Sequence, residues 1–136
     1  MPNKEIYSSL NVRQFKNLLD LVDSDENKSN IAIILKFGAT WCGPCKTIYT
    51  QCHNIFNSLP DSVVCFDLDI DEDDVMELYV AYKQKKMVTS VPTIFAYVSN
   101  PERDKRHWYA PDFSVNSAKP IDIQNFFAKV QAIVNK

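Results

Sequence analysis

Two cysteines separated by two residues carry the most specific chemistry in this sequence. They stand in Trp41-Cys42-Gly43-Pro44-Cys45-Lys46, between a β-branched apolar run and a long helical stripe. Cys42 therefore falls at a helix N-terminus, where unpaired backbone N–H groups and the helix dipole favour an anion. Such a position lowers a thiol pKa from ~8.5 toward ~7 and makes the cysteine a nucleophile at neutral pH. The second thiol sits one turn inside the helix, within disulfide reach, and is expected to be the more buried of the pair. Gly43 lets a partner backbone approach. Pro44 suits the first helical turn, because its missing N–H has no helical partner there. The chemistry predicted is thiol–disulfide exchange.

The elements that must position this pair follow from apolar periodicity. Ile6-Tyr7 reads as a short strand. Val12, Phe15, Leu18, Leu19 and Val22 recur at helical spacing, which predicts a helix over 9–23. Residues 31–38 form a run suited to a strand covered on both faces. Cys45, Ile48, Cys52, Ile55, Phe56 and Leu59 predict one long helix from Pro44 to the stop at Pro60. A strand over 63–70, a helix from the acidic residues 71–74 to about Lys83, and a strand over 93–98 come next. Asn100-Pro101 reads as a turn, residues 105–110 as a further strand, and Pro120 as the start of the last helix. Strands alternating with helices imply an α/β sandwich. The sheet is expected to be mixed, of four to five strands between about four helices, in one domain over 1–136.

The segment Lys36-Phe37-Gly38-Ala39-Thr40-Trp41-Cys42-Gly43-Pro44-Cys45-Lys46 resembles the active-site region of thioredoxins. Val91-Pro92-Thr93 resembles the family's cis-proline loop, and residues 66–71 its third strand and acidic exit. The likeness runs from about Ile6 to Val134, with additions at the N-terminus, before Val91 and over 99–119. It implies the thioredoxin fold and a protein-disulfide reductase without a cofactor. Cys42 would attack a substrate disulfide and Cys45 would resolve the mixed disulfide, so that Cys42–Cys45 is the redox disulfide. Trp41, Gly43, Pro44, Val91 and Pro92 would form the docking surface. The partners implied are disulfide-containing proteins and a thioredoxin-reductase-like recycling enzyme, with the chain a monomer.

Four positions depart from the family pattern. Lys36 occupies the place of a buried aspartate, in a run expected to be covered on both faces, where an unpaired lysine is almost never found. Asp67 falls at the neighbouring-strand position that often carries a lysine. The pair is thus expected to be swapped, and either Asp67 or a neutral Lys36 is a candidate to take the Cys45 proton. Gly38 replaces an aromatic, and the glycine of the last strand is missing near Ala110-Pro111.

Other candidates have plainer readings. Cys52 and Cys65 read as buried, inert thiols, and His53 as an exposed helix residue. His107 and Trp108 are assigned to an edge strand. No second CxxC or suitably spaced histidine supports zinc, and the acidic stretch 69–74 lacks the glycine and distal glutamate of a calcium loop. Composition excludes other classes. Net charge is −2, without the basic excess of a nucleic-acid-binding domain. No apolar run is long enough to span a bilayer, and no signal-peptide pattern opens the chain. A reducing, cytoplasmic setting is therefore expected, and the Asn27-Lys28-Ser29 sequon carries no weight there. Richness in Asn, Ile, Lys and Asp fits an AT-rich genome such as that of a protist or large DNA virus; in the latter case a virion is a further location. Two alternatives stand beside the reductase: a thioredoxin-fold scaffold or assembly subunit, and a more oxidising isomerase or oxidase, which a charged Lys36 would favour.

Overall fold

The computed structural model describes residues 4–24 and 30–135. The sequon at 27–29 lies outside them. Five strands, β1 (Ile6–Tyr7), β2 (Ala32–Gly38), β3 (Val63–Asp69), β4 (Thr93–Val98) and β5 (Phe113–Val115), form one sheet in the order β1-β3-β2-β4-β5. β1, β3 and β2 are parallel; β4 runs antiparallel to β2, and β5 antiparallel to β4. The helices are α1 (Val12–Asp23), α2 (Gly43–Thr47), α3 (Tyr49–Ser58), α4 (Asp73–Gln84) and α5 (Pro120–Val134). This is the mixed α/β sandwich expected from the sequence.

Strand alternation distributes the side chains between two cores. Ile33, Leu35 and Phe37 of β2 meet Phe15 and Leu19 of α1 and Leu78, Tyr79 and Tyr82 of α4. Ala32 and Ile34 meet Ile48, Cys52 and Phe56 beside α5 residues Ile123, Phe127 and Val130. Cys65 of β3 lies on this second side as well. Continuing the alternation by one step places Lys36 and Asp67 on the α3 side, at the end of the sheet where α2 begins. All seven β2 residues are buried, so this strand is a fixed platform for the segment that follows it.

Two elements differ from the sequence reading. The expected single helix from Pro44 breaks at Ile48, whose backbone (φ −99°, ψ 2°) leaves helical geometry. The Thr47 hydroxyl donates back to the Gly43 carbonyl (3.3 Å), a local bond that competes with regular helix geometry. Residues 105–110 are not a strand. Asp104 caps a 3-10 turn over Lys105–His107 by accepting from the Arg106 amide. Arg103 and Lys105 pair with the buried Asp23 at the end of α1, with Arg103 Nε 2.8 Å from Asp23 Oδ2. These bonds hold the segment against α1, and Trp108 packs on Phe15 and Tyr82 instead of lying at a sheet edge. His107 is likewise outside any strand. The fifth strand comes later, at Phe113–Val115, and the position near Ala110-Pro111 precedes it.

Candidate active site

The redox pair is assembled where β2 ends. Cys42 is the N-cap of α2 with extended backbone (φ −86°, ψ 105°), and Pro44 occupies the first turn. Cys42 and Cys45 are disulfide-bonded, with Cα atoms 5.3 Å apart. The Cys45 amide donates to Cys42 Sγ (3.1 Å), an interaction that strengthens when the sulfur carries negative charge. Both cysteines are almost closed to solvent, at 4% for Cys42 and 5% for Cys45. The expectation that Cys45 is the more buried is therefore corrected. Cys42 Sγ lies 3.8 Å from the Val91 carbonyl oxygen, which covers it.

Of the residues expected around it, Trp41, Gly43 and Pro44 are exposed, Val91 is half-buried and Pro92 is buried. Trp41 is 65% exposed, and its indole N–H donates to Asp71 Oδ2 (2.8 Å). Asp71, which the sequence placed in the acidic exit of the third strand and at a helix start, is thereby a partner of Trp41; Glu72 is the cap of α4. Val91-Pro92 is a cis peptide bond beside Cys42. Asn116, just after β5, places its two-proton donor Nδ2 within hydrogen-bond distance of Ser90 O (3.1 Å), Pro92 O (2.9 Å) and Thr93 Oγ1 (2.9 Å). One side-chain amide thus holds the whole cis-proline loop, and no local pattern in the sequence announces it.

Beneath the disulfide, the swapped pair is present. Lys36 and Asp67 are register partners on β2 and β3, with Nζ donating to Oδ1 at 3.1 Å. The Lys36 side chain is 3% exposed, so it does not reach out to solvent. A third member joins them. His53, on α3, is not the free surface residue expected: its Nε2 lies 2.7 Å from Asp67 Oδ2. A carboxylate paired with Lys36 accepts only, so Nε2–H is the donor. The imidazole also stacks on Tyr49 one helical turn earlier, with ring centres 4.1 Å apart. Asp67 therefore carries one cationic partner on each side when His53 is protonated.

Gly38 opens the space between these groups and the disulfide. A Cβ placed there would contact Cys45 Sγ at 3.5 Å and Lys36 Nζ at 3.7 Å, so the ammonium and the sulfur flank the same gap. A cavity of about 610 Å³ occupies it, lined by Lys36, Gly38, Cys45, Tyr49 and Asp67 among others. Cys52 and Cys65 are free, buried thiols, Cys52 near the Lys36–Asp67 pair. Burial pushes Cys52 up to about 11, against a smaller lowering by Lys36, and pushes Cys65 up to about 12. Neither is a nucleophile at neutral pH.

The comparisons with known proteins agree with this geometry. The family profile named Thioredoxin matches residues 10–109. A thioredoxin of Rickettsia typhi is 29% identical over 79 residues, covering 58% of this chain and 70% of its own. A thioredoxin of Mycoplasma genitalium is 25% identical over 114 residues, covering 84% of this chain and 95% of its own. A chain in the crystal structure of a ferredoxin:thioredoxin reductase and thioredoxin f2 complex superposes with a TM-score of 0.66. It is 16% identical and covers 96% of this chain and 99% of its own. With an intact Cys-Gly-Pro-Cys disulfide at the start of α2 and a family match over most of its length, the chain belongs to the thioredoxin family and is a dithiol–disulfide oxidoreductase of that type.

Proposed function

We propose that the chain reduces disulfides in other proteins, with Cys42 as nucleophile and Cys45 as resolving thiol. The single observation that carries this is the Cys42–Cys45 disulfide at the N-cap of α2, with the Cys45 amide directed at Cys42 Sγ. Cys42 thiolate attacks a substrate disulfide and forms a mixed disulfide. Cys45, after losing its proton, attacks Cys42 and releases the reduced substrate. Asp67 is the proton acceptor in that second step, and Lys36 holds its charge in place.

Trp41, Gly43, Pro44, Val91 and Pro92 form the surface on which the substrate backbone docks. The exposed indole of Trp41 and the proximity of Val91 to Cys42 support this assignment. An extended substrate segment fits here because it presents backbone groups to the loop that Asn116 holds. A thioredoxin-reductase-like enzyme returns the disulfide to the dithiol. A thioredoxin of the same fold stands in complex with such a reductase in the solved structure named above, which supports a partner of that class. The reaction requires a reducing compartment, and a cytoplasmic location fits it.

The test is dithiol-dependent turnover of a protein disulfide. The wild-type chain is expected to turn over. Cys42→Ser is expected to abolish the reaction, and Cys45→Ser to accumulate a stable mixed disulfide through Cys42. Turnover that survives Cys42→Ser contradicts the reading, and absence of turnover in the wild-type chain leaves the scaffold role.

A further inference from the structure

We propose that His53 is a positioning residue whose charge state gates the second exchange step, the attack of Cys45 on the mixed disulfide. This inference rests on the redox function proposed above. In that step the Cys45 thiol gives its proton to Asp67 and its sulfur bonds to Cys42 Sγ. The bond between Cys42 and the substrate sulfur breaks, and its electron pair leaves with the substrate as a thiolate. One disulfide forms as another is lost, so no outside oxidant or reductant enters.

The geometry makes the step sensitive to His53. Asp67 offers Oδ1 to Lys36 at 3.1 Å and Oδ2 to His53 at 2.7 Å, which uses both carboxylate oxygens. Cys45, Lys36 and Asp67 line one cavity of about 610 Å³, roomy and polar enough for water to carry a proton from the thiol to the carboxylate. His53 does not line that cavity; it bonds Asp67 from the far side, and its side chain is 23% exposed. Solvent therefore sets its protonation while the reacting thiol remains buried.

The sign follows from distance. Moving a proton from Cys45 to Asp67 removes a negative charge beside His53 and creates one farther away, on the sulfur. A protonated imidazole in contact with Asp67 favours the carboxylate over the more distant thiolate, so it opposes the transfer. A neutral imidazole still donates its Nε2–H but adds no net charge. The other ionisable groups around this centre are Lys36 on β2, Asp69 on β3, Lys46 on α2, and Tyr49 and Cys52 on α3. Lys36 already supplies one cation to Asp67, and a protonated His53 supplies the second. The mixed disulfide is consequently held while His53 is protonated and released once it is neutral.

Stopped-flow reaction of the reduced protein with a chromogenic diaryl disulfide separates the two steps. The first arylthiolate reports the attack by Cys42, and the second reports resolution by Cys45. The wild-type second phase is expected to gain ~10-fold through the imidazole range, the lower end of what one added charge does beside a carboxylate. His53→Gln keeps a hydrogen-bond donor but cannot ionise. It is expected to resolve ~10-fold faster than wild type at about pH 5.5, and to match it at about pH 8.5. The first phase should be alike in both proteins. A variant that is slower at every pH in parallel, or that follows the wild-type profile, overturns the proposal. So does a wild-type second phase without an inflection, whatever the variant does. Loss of both phases in the wild-type protein would instead refute the redox function itself.

Discussion

Truncating Asp67 leaves a buried ammonium ion without its carboxylate, and the cost can be worked from the geometry. Lys36 Nζ lies 3.1 Å from Asp67 Oδ1, with side-chain exposures of 3% and 22%. At that separation and an effective dielectric of ~20 the attraction is ~5 kcal/mol, offset by several kcal/mol for withdrawing the ammonium from water. The intact pair adds little net stability; the effect of removing one partner is large and unequal. Asp67→Ala is expected to cost ~3 kcal/mol, the low end of the range for breaking a buried pair, because the partly exposed Asp67 site admits water. Lys36→Met removes the buried charge and leaves Asp67 bonded to His53 and partly solvated, at a cost of ~1 kcal/mol. The double variant should show a coupling of ~2 kcal/mol. Urea unfolding of the oxidised protein, followed by circular dichroism at neutral pH, measures all three, with an unchanged m-value confirming like-for-like transitions. The reasoning is refuted if Asp67→Ala costs no more than Lys36→Met, or if the coupling is within ~0.5 kcal/mol of zero.

Other expectations follow from the same structure. Because burial pushes Cys52 and Cys65 up to about 11 and about 12, brief alkylation of the reduced native chain at mildly alkaline pH should leave both unmodified. Mass spectrometry reads this, and labelling of Cys52 or Cys65 in the native protein would contradict it. The same raised thiols predict alkaline destabilisation. Below the unfolded thiol value of 9.0 both states hold their protons and stability is full; above it only the unfolded chain ionises, and stability falls until the folded thiols titrate in turn. The urea midpoint should drop across that window by an amount equivalent to up to ~1.4 kcal/mol per pH unit for each thiol, and Cys65→Ala should flatten the slope. Asn116→Ala should cost ~1–2 kcal/mol and raise KM for a protein disulfide, with the reduction potential unchanged. Lys86 has φ 60° in the position after the α4 cap, where its amide donates to Lys83 O and that of Met87 to Tyr82 O. Lys86→Gly should therefore stabilise by ~0.5–1 kcal/mol in thermal unfolding, and a loss of stability would refute the strain argument.

How far the sequence reached depended on the range of the contacts involved. The strands β2 and β4 were legible as short apolar runs buried on both faces, and the helix α5 because one buried face imposes a helical period on it. The Lys36–Asp67 pair was legible for a related reason. A lysine in an apolar run demands a partner, and parallel strands in register supply one at the neighbouring position. His53 was not legible, because its partner lies in another layer, on β3. A stripe counted from Cys45 through an unbroken helix does not show that His53 reaches Asp67. The strand placed at 105–110 failed because Asp104 and the ion pairs to Asp23 outweigh strand propensity there. The true fifth strand has three residues, too few to establish alternation. Asn116 illustrates the same limit: its partner residues Ser90, Pro92 and Thr93 lie 23–26 positions earlier in the chain.

The reduction potential of the Cys42–Cys45 pair tests the central claim most directly. The protein would be equilibrated in graded thiol–disulfide buffers and its free thiols counted by mass after trapping. A reductase whose Lys36 is neutralised by Asp67 should give a value near ~−270 mV, characteristic of thioredoxin. A value near ~−180 mV would contradict the account, since it belongs to an isomerase or oxidase, with Lys36 acting as an unbalanced charge beneath the disulfide.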